Sequence, residues 1–221
     1  MLTKVRNLFS SEPAPGDREG GGFALAPAVP GVLRHSNGMR EFLNGWDKLA
    51  NRRLLDLGCT SSANVAWFTE RGHNLYSDDL LLDISRPSYQ VPTDAGPRFD
   101  SVHWLQDNLT FGPERFDAIL LWDLVDYIPE PLVKPLFERL AFILRPAGSI
   151  LAYFHTKDSG ADTPFFRYHI HDRETLELRP DRPHRLQRVF NNRHVENLFH
   201  GYRSIKFFLA RDNLREVVAS K

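Results

Sequence analysis

The run Leu54-Leu55-Asp56-Leu57-Gly58-Cys59 places a carboxylate and then a glycine at the end of an apolar stretch. A buried strand ending in Asp-x-Gly opens a loop whose backbone N–H groups can approach a ligand closely, because glycine carries no Cβ. Thr60, Ser61 and Ser62 follow; their hydroxyls can hydrogen-bond a ligand carboxylate or cap the next helix. Asp79 stands 21 residues after Gly58, Asp107 ends the stretch His103-Trp104-Leu105-Gln106-Asp107, and Trp122-Asp123 ends a second apolar run. Each of these acids has a plainer reading as a solvated strand-end carboxylate, and Asp56 could simply tie neighbouring backbone together. For proton transfer the candidates are His155 and Tyr127, both at expected strand ends. Cys59 has no evident base beside it and reads as a small buried thiol. His169 and His171 share one face of an expected strand, with His155 elsewhere in the chain. No Cys pair or His-Glu-x-x-His pattern accompanies them, so no metal site is expected.

These residues need elements to hold them. Residues 1–35 are rich in Pro, Gly and Ala without periodicity and read as a flexible tail. From Ser36, a capping residue, Met39, Phe42, Leu43 and Trp46 recur at helical spacing. Residues 52–58 read as a first strand, 61–71 as a helix closed by Gly72, and 73–80 as a second strand. Residues 84–100 read as a long loop and 101–107 as a third strand. The nearly continuous apolar run 116–123 suits a parallel strand covered on both faces. Residues 131–144 form an amphipathic helix with Pro131 in its first turn, 145–148 a turn, and 149–156 a fifth strand. An insertion at about 157–190 contains an expected hairpin, residues 193–200 look helical, and the chain closes with two strands joined at Arg211-Asp212-Asn213. Alternating strands and helices argue for an α/β fold with a parallel sheet and helices on both faces.

The order and spacing of these motifs resemble the class I S-adenosylmethionine-dependent methyltransferases over about residues 38 to 156. Asp56-Leu57-Gly58 matches the family's first motif, and Phe116-Asp117-Ala118-Ile119-Leu120 its fourth-strand motif. Leu144-Arg145-Pro146-Ala147-Gly148 matches the turn before its fifth strand. The resemblance implies a Rossmann-like three-layer sandwich with a mostly parallel seven-stranded sheet ending in an antiparallel hairpin. It also implies S-adenosyl-L-methionine as cofactor. The methionine end would lie on the loop at Asp56, Gly58, Thr60, Ser61 and Ser62, and the ribose hydroxyls on Asp79. Asp107 would lie near the adenine, with Trp122 and Asp123 at the cleft mouth. One departure stands out: Thr60 and Ser62 occupy the family's second and third glycine positions. A β-branched residue disfavours positive φ and adds bulk where backbone should meet ligand.

Composition narrows the remaining choices. The chain has 28 basic and 28 acidic residues, so its formal net charge is zero, which does not point to a nucleic-acid or membrane surface as main partner. An Arg/His-rich insertion keeps RNA open, but the end of the fourth strand lacks an Asn/Asp-Pro-Pro-Tyr/Phe motif. A single cysteine suits a reducing compartment, and no secretory signal or membrane span is visible, so a cytoplasmic location is expected. The leading expectation is methyl transfer to a small-molecule or protein acceptor. Two rivals stay open: a catalytically inactive methyltransferase-like binding or scaffold protein, and, less well matched, an NAD-linked oxidoreductase.

Overall fold

The computed structural model describes residues 31–82, 84–158, 160, 165–210 and 212–221. Its main sheet has six strands: β2 (Arg53–Asp56), β3 (Asn74–Ser77), β6 (Phe116–Trp122), β7 (Leu144–His155), β10 (Ser204–Leu209) and β11 (Leu214–Ser220). Their order is β10-β11-β7-β6-β2-β3. Strands β3, β2, β6 and β7 run parallel, while β11 pairs antiparallel with both β7 and β10. The chain order reverses between β2 and β6, and the crevice at the carboxyl ends of those two strands is where open α/β sheets take ligands.

Alternation along the strands feeds two hydrophobic layers. Leu55, Ile119 and Leu121 face one cluster, shared with helix α4 (Glu130–Ile143). Leu54, Ala118 and Leu120 face the other, with α1 (Asn37–Phe42) and α2 (Ser62–Thr69). The arrangement is Rossmann-like, with helices flanking the sheet. Ser36 caps α1 through Met39 N–H, and Ser61 caps α2 through Asn64 N–H. Gly72, at φ +74°, turns the chain from α2 into β3. The terminal hairpin forms as expected. The residues expected as a turn before the fifth strand lie inside β7 as an irregularity: Leu144 pairs with Phe116 and Ser149 with Ala118, and Ala147 takes φ +60°.

Three sequence expectations are corrected. Residues 101–107 form helix α3 (Ser101–Asp107), not a strand. Asp100 caps it through His103 N–H, and Ser101 and Trp104, one helical turn apart, are its buried positions while Val102 is exposed. The main sheet therefore has six strands, where seven were expected. Residues 90–91 and 98–99, inside the expected loop, pair as two short strands, β4 and β5.

The third correction concerns the amino-terminal boundary. The expected tail over residues 1–35 lies outside the described residues up to 30, but Val32–His35 form strand β1. It pairs antiparallel with β9 (Thr175–Pro180), which pairs with β8 (Phe166–Ile170). The hairpin expected in the insertion is thus present, and with β1 it makes a three-stranded sheet. Tyr168, Ile170, Leu176 and Leu178 pack this sheet into the α1/α2 layer. Asn64, fully buried in the first turn of α2, joins the two: its Nδ2–H donates to Tyr168 O at 2.9 Å and its Oδ1 accepts from Ile170 N–H at 2.8 Å. Helix α5 (Asn192–Leu198) then leads into the terminal hairpin. Among the described residues no helix is long and apolar enough to cross a membrane.

Candidate functional site

Four chain segments meet at the β2/β6 crevice. The loop after β2 supplies Gly58 and Cys59; the segment after β3 supplies Asp79 and Leu81. The end of β6 supplies Trp122, Asp123 and Leu124, and Phe165–Tyr168 close over them from the insertion. The cleft is narrow: counting its open mouth it measures about 340 Å³, with about 20 Å³ free for the centre of a water molecule.

Trp122 fills the depth. Its Nε1–H donates to Asp56 Oδ1 at 2.7 Å, and Gly58 N–H reaches the same oxygen at 3.3 Å. A Cβ on Gly58 would meet the Trp122 ring at 2.6 Å, so this glycine is what lets the indole lie on the loop. The ring stacks on Tyr168 with centroids 4.9 Å apart and planes 1° from parallel. Trp122 itself has φ +48°, a left-handed conformation that an aromatic residue rarely adopts, at a register shift in β6. Asp56 is fully buried. Burial pushes its carboxyl up, and the Thr60 hydroxyl, the Trp122 indole, Gly58 N–H and the Asn64 side chain resist that.

The loop itself is unstrained. Neither Gly58, Thr60 nor Ser62 has a positive φ, so the β-branched residue costs no backbone strain in this conformation. Ser61 spends its hydroxyl on the α2 cap, and Ser62 is an exposed first helical residue. Asp79 is half-buried at the cleft, where Oδ1 accepts from Leu81 N–H at 3.2 Å. Asp107 is not brought there. It ends α3, half-exposed, accepting from the Tyr89 hydroxyl at 3.1 Å beside His103. The structure therefore brings Gly58, Asp79, Trp122 and Asp123 together, with Asp56 and Thr60 beneath, and leaves Asp107 outside.

Beside the cleft lies a buried acid cluster. Asp123 is 2 % exposed, and its Oδ2 has no hydrogen-bond partner in the protein. Burial raises its carboxyl to about 7; the charge of His155 and the Tyr168 hydroxyl oppose the rise, while Asp126 adds to it. Asp126 Oδ2 accepts from the His155 backbone N–H at 2.6 Å and meets His155 Nδ1 at 2.8 Å. Burial works against the imidazolium, but the Asp126 hydrogen bond and the charges of Asp123, Asp126 and Asp212 outweigh it and hold His155 above its ordinary value. Tyr127 stands edge-on to both His155 and Phe165. Neither His155 nor Tyr127 lines the cleft. Burial raises the Cys59 thiol, which the neighbouring Arg167 only partly offsets, as befits an inert side chain. Among the described residues no group of three or more His, Cys, Asp and Glu side chains is placed to hold a metal ion.

Sequence reasoning missed Asn64 and Asp126. Asp126 carried a signal: a carboxylate set within Leu124-Val125-Asp126-Tyr127-Ile128 is bound for burial. Asn64 sits inside a helix, where asparagine is unfavourable unless its amide has a partner.

The chain matches the methyltransferase domain family over residues 33–202 and belongs to it. This is the S-adenosylmethionine-dependent class I group whose motif order the sequence resembles. Among curated proteins, the ubiquinone biosynthesis O-methyltransferase of Xylella fastidiosa is 22% identical over 111 residues, which are 50% of this chain and 44% of that one. The chain thus spans under half the length of the curated relatives it matches. Among solved structures, an S-adenosylmethionine-dependent methyltransferase of Mesorhizobium loti is 13% identical, with a TM-score of 0.48 over 83% of this chain and 95% of that one. The 1,6-didemethyltoxoflavin-N1-methyltransferase of Burkholderia thailandensis, solved with bound 1,6-didemethyltoxoflavin and S-adenosylhomocysteine, is 14% identical, with a TM-score of 0.46 over 83% of this chain and 76% of that one.

Proposed function

We propose that this chain binds S-adenosyl-L-methionine at the β2/β6 crevice and transfers its methyl group to a small-molecule or protein acceptor, in the cytoplasm. The observation that carries this reading is the meeting of Gly58 and Asp79 at one cleft, on the sheet of a methyltransferase-family domain. The residues fit the cofactor in kind. Asp79 offers a half-buried carboxylate to ribose hydroxyls, Gly58 and Cys59 offer backbone to the methionine end, and Leu81 offers an apolar wall. The room does not fit: with Trp122 on Gly58 and Tyr168 on Trp122, only about 20 Å³ is free for the centre of a water molecule, too little for a nucleoside. Entry of the cofactor therefore requires the indole to leave its seat. The bound cofactor would bring an activated methyl on a sulfonium, leaving this chain to position the acceptor and exclude water.

The closed cleft also favours the second reading, a methyltransferase-like protein without catalysis. Calorimetric titration with S-adenosylhomocysteine separates the two. Micromolar binding that Asp79→Ala weakens by about 1 kcal/mol, roughly fivefold, supports the enzyme. No heat from a folded protein at millimolar ligand supports the inactive binding protein, and unchanged affinity in Asp79→Ala removes Asp79 from the site.

A further inference from the structure

A second cavity lies away from the cleft, between strand β1 and the terminal hairpin. Counting its open mouth it measures about 730 Å³, with about 350 Å³ free for the centre of a water molecule, and it shares no lining residue with the cleft. Small-molecule sites commonly measure about 300–1,000 Å³. Phe208, Leu209 and Ala210 give the cavity an apolar wall, Arg34, Asp212 and Glu216 a charged one, and His35 and Asn37 also line it. The charged wall is held firmly, for Arg34 and Glu216 are both buried. Glu216 spends both oxygens inside the protein: Oε2 accepts from Gly38 N–H and the Ser36 hydroxyl, and Oε1 meets Arg34 Nη1 at 2.6 Å. Arg34 lies over the Tyr153 ring, 5.2 Å from its centroid, and its Nε–H and Nη2–H donate to Asp212.

We propose that this cavity is a second ligand site and takes a small organic cation, a protonated amine on an apolar body. The ammonium would donate to Asp212, with the body against Phe208, Leu209 and Ala210. Spare hydrogen-bonding capacity decides the sign. One carboxylate is enough to pair Arg34, and the cavity has two. Glu216 is buried and spent, but the Asp212 side chain is 40 % exposed. A carboxylate has about four accepting positions. Among the described residues, Asp212 Oδ1 accepts from Arg34 Nη2–H and Leu214 N–H, and Oδ2 from Arg34 Nε–H alone, which leaves a place on Oδ2. An ammonium fills that place without breaking a bond, as a charge-assisted pair. An anion would have to displace Asp212 or Glu216 from the guanidinium, and the remaining carboxylate would repel it. The site is also prepared in advance, since the Ser36 hydroxyl ties Glu216 to Tyr153 Oη, 3.0 Å away. The inference goes beyond the methyltransferase reading and does not depend on it.

The probes are 2-phenylethylamine and 3-phenylpropionate, which are similar in size and opposite in charge. Each is titrated into the full, isotope-labelled chain at about pH 7, where the amine is protonated, and followed by amide NMR. The amine should shift the amides of Leu209, Ala210 and Asp212 and saturate at about millimolar concentration, as suits a ligand of about ten heavy atoms. It should bind about tenfold more tightly than the propionate, or about 1.4 kcal/mol. Asp212→Asn removes the charge and should weaken the amine about tenfold. Ala210→Leu narrows the cavity from its apolar wall without touching a charge, and should weaken the amine by a similar factor. This second variant keeps the test open if the loss of one Arg34 partner unsettles the first. No saturable shift at tens of millimolar amine, equal binding of the two probes, or unchanged amine affinity in either folded variant would each overturn the proposal; an unchanged affinity would mean that the amine sits elsewhere, such as on Asp79 in the cleft.

Discussion

A carboxyl 2 % exposed, with one oxygen that has no hydrogen-bond partner, should show itself in the protein's stability before any substrate is found. In the folded chain Asp123 ionises at about 7, against 3.8 for an ordinary aspartate. Between those values the unfolded chain has released this proton and the folded chain has not, so the native state loses stability as pH rises from about 4 to about 7. The displacement corresponds to a loss on the order of 4 kcal/mol, complete above pH 7. Asp123→Asn has no charge to withhold. It should be more stable than the parent above pH 7, with the difference fading below about pH 4, and urea midpoints at the two ends of that range would show it. A difference that does not change with pH would mean that Asp123 is solvated. At this scale the sequence was partly legible. Asp79 is singled out by its spacing from Gly58 and by the family resemblance, and Trp122 and Asp123 because they end the apolar run of β6. Asp107 lies outside the cleft, because the segment it ends is a helix and not the expected strand. The coupling of Asp123 to His155, Asp126 and Tyr168 depends on segments distant in sequence meeting at one point, which no motif records.

Elements with local causes were the easier ones to read. Strands β2 and β6, helices α2 and α4 and the terminal hairpin each carry their periodicity, cap or turn within their own residues. Strand β1 does not. Val32 and Leu33 are exposed, and what fixes the strand is β9, far along the chain. Helix α3 was misread because seven residues with two apolar pairs satisfy either period, and only the Asp100 cap and the burial of Trp104 decide. The insertion hairpin was legible as a hairpin but not in its place. That place depends on Asn64, whose amide satisfies one carbonyl and one N–H of β8. Asn64→Ala would leave Tyr168 C=O and Ile170 N–H buried without partners, at a cost of about 2–4 kcal/mol. Faster amide exchange at Ile170 should accompany that loss. Unaltered exchange there would mean that the hairpin is held to α2 by its apolar contacts alone.

For the molecule as a whole, the question is what a closed crevice means in a methyltransferase-family domain. The doubly wound sheet supplies the crevice at the β2/β6 switch point, and the small sheet of β1, β8 and β9 covers it. The closing contact is specific: an indole in a left-handed backbone conformation, bonded to a buried carboxylate, seated on a glycine and stacked on a tyrosine of the cover. If this closed state competes with cofactor binding, the apparent affinity is the intrinsic affinity multiplied by the fraction of open molecules, and emptying the seat should raise it. Trp122→Ala is therefore expected to bind S-adenosylhomocysteine several-fold more tightly than the parent while losing about 3–5 kcal/mol of stability from the cavity it leaves. The two effects move in opposite directions, so a merely damaged fold cannot imitate them. Weaker binding by a variant that stays folded would give the ring the opposite role, a wall of the occupied site, and the stack on Tyr168 would then be the surface against which the ligand is held.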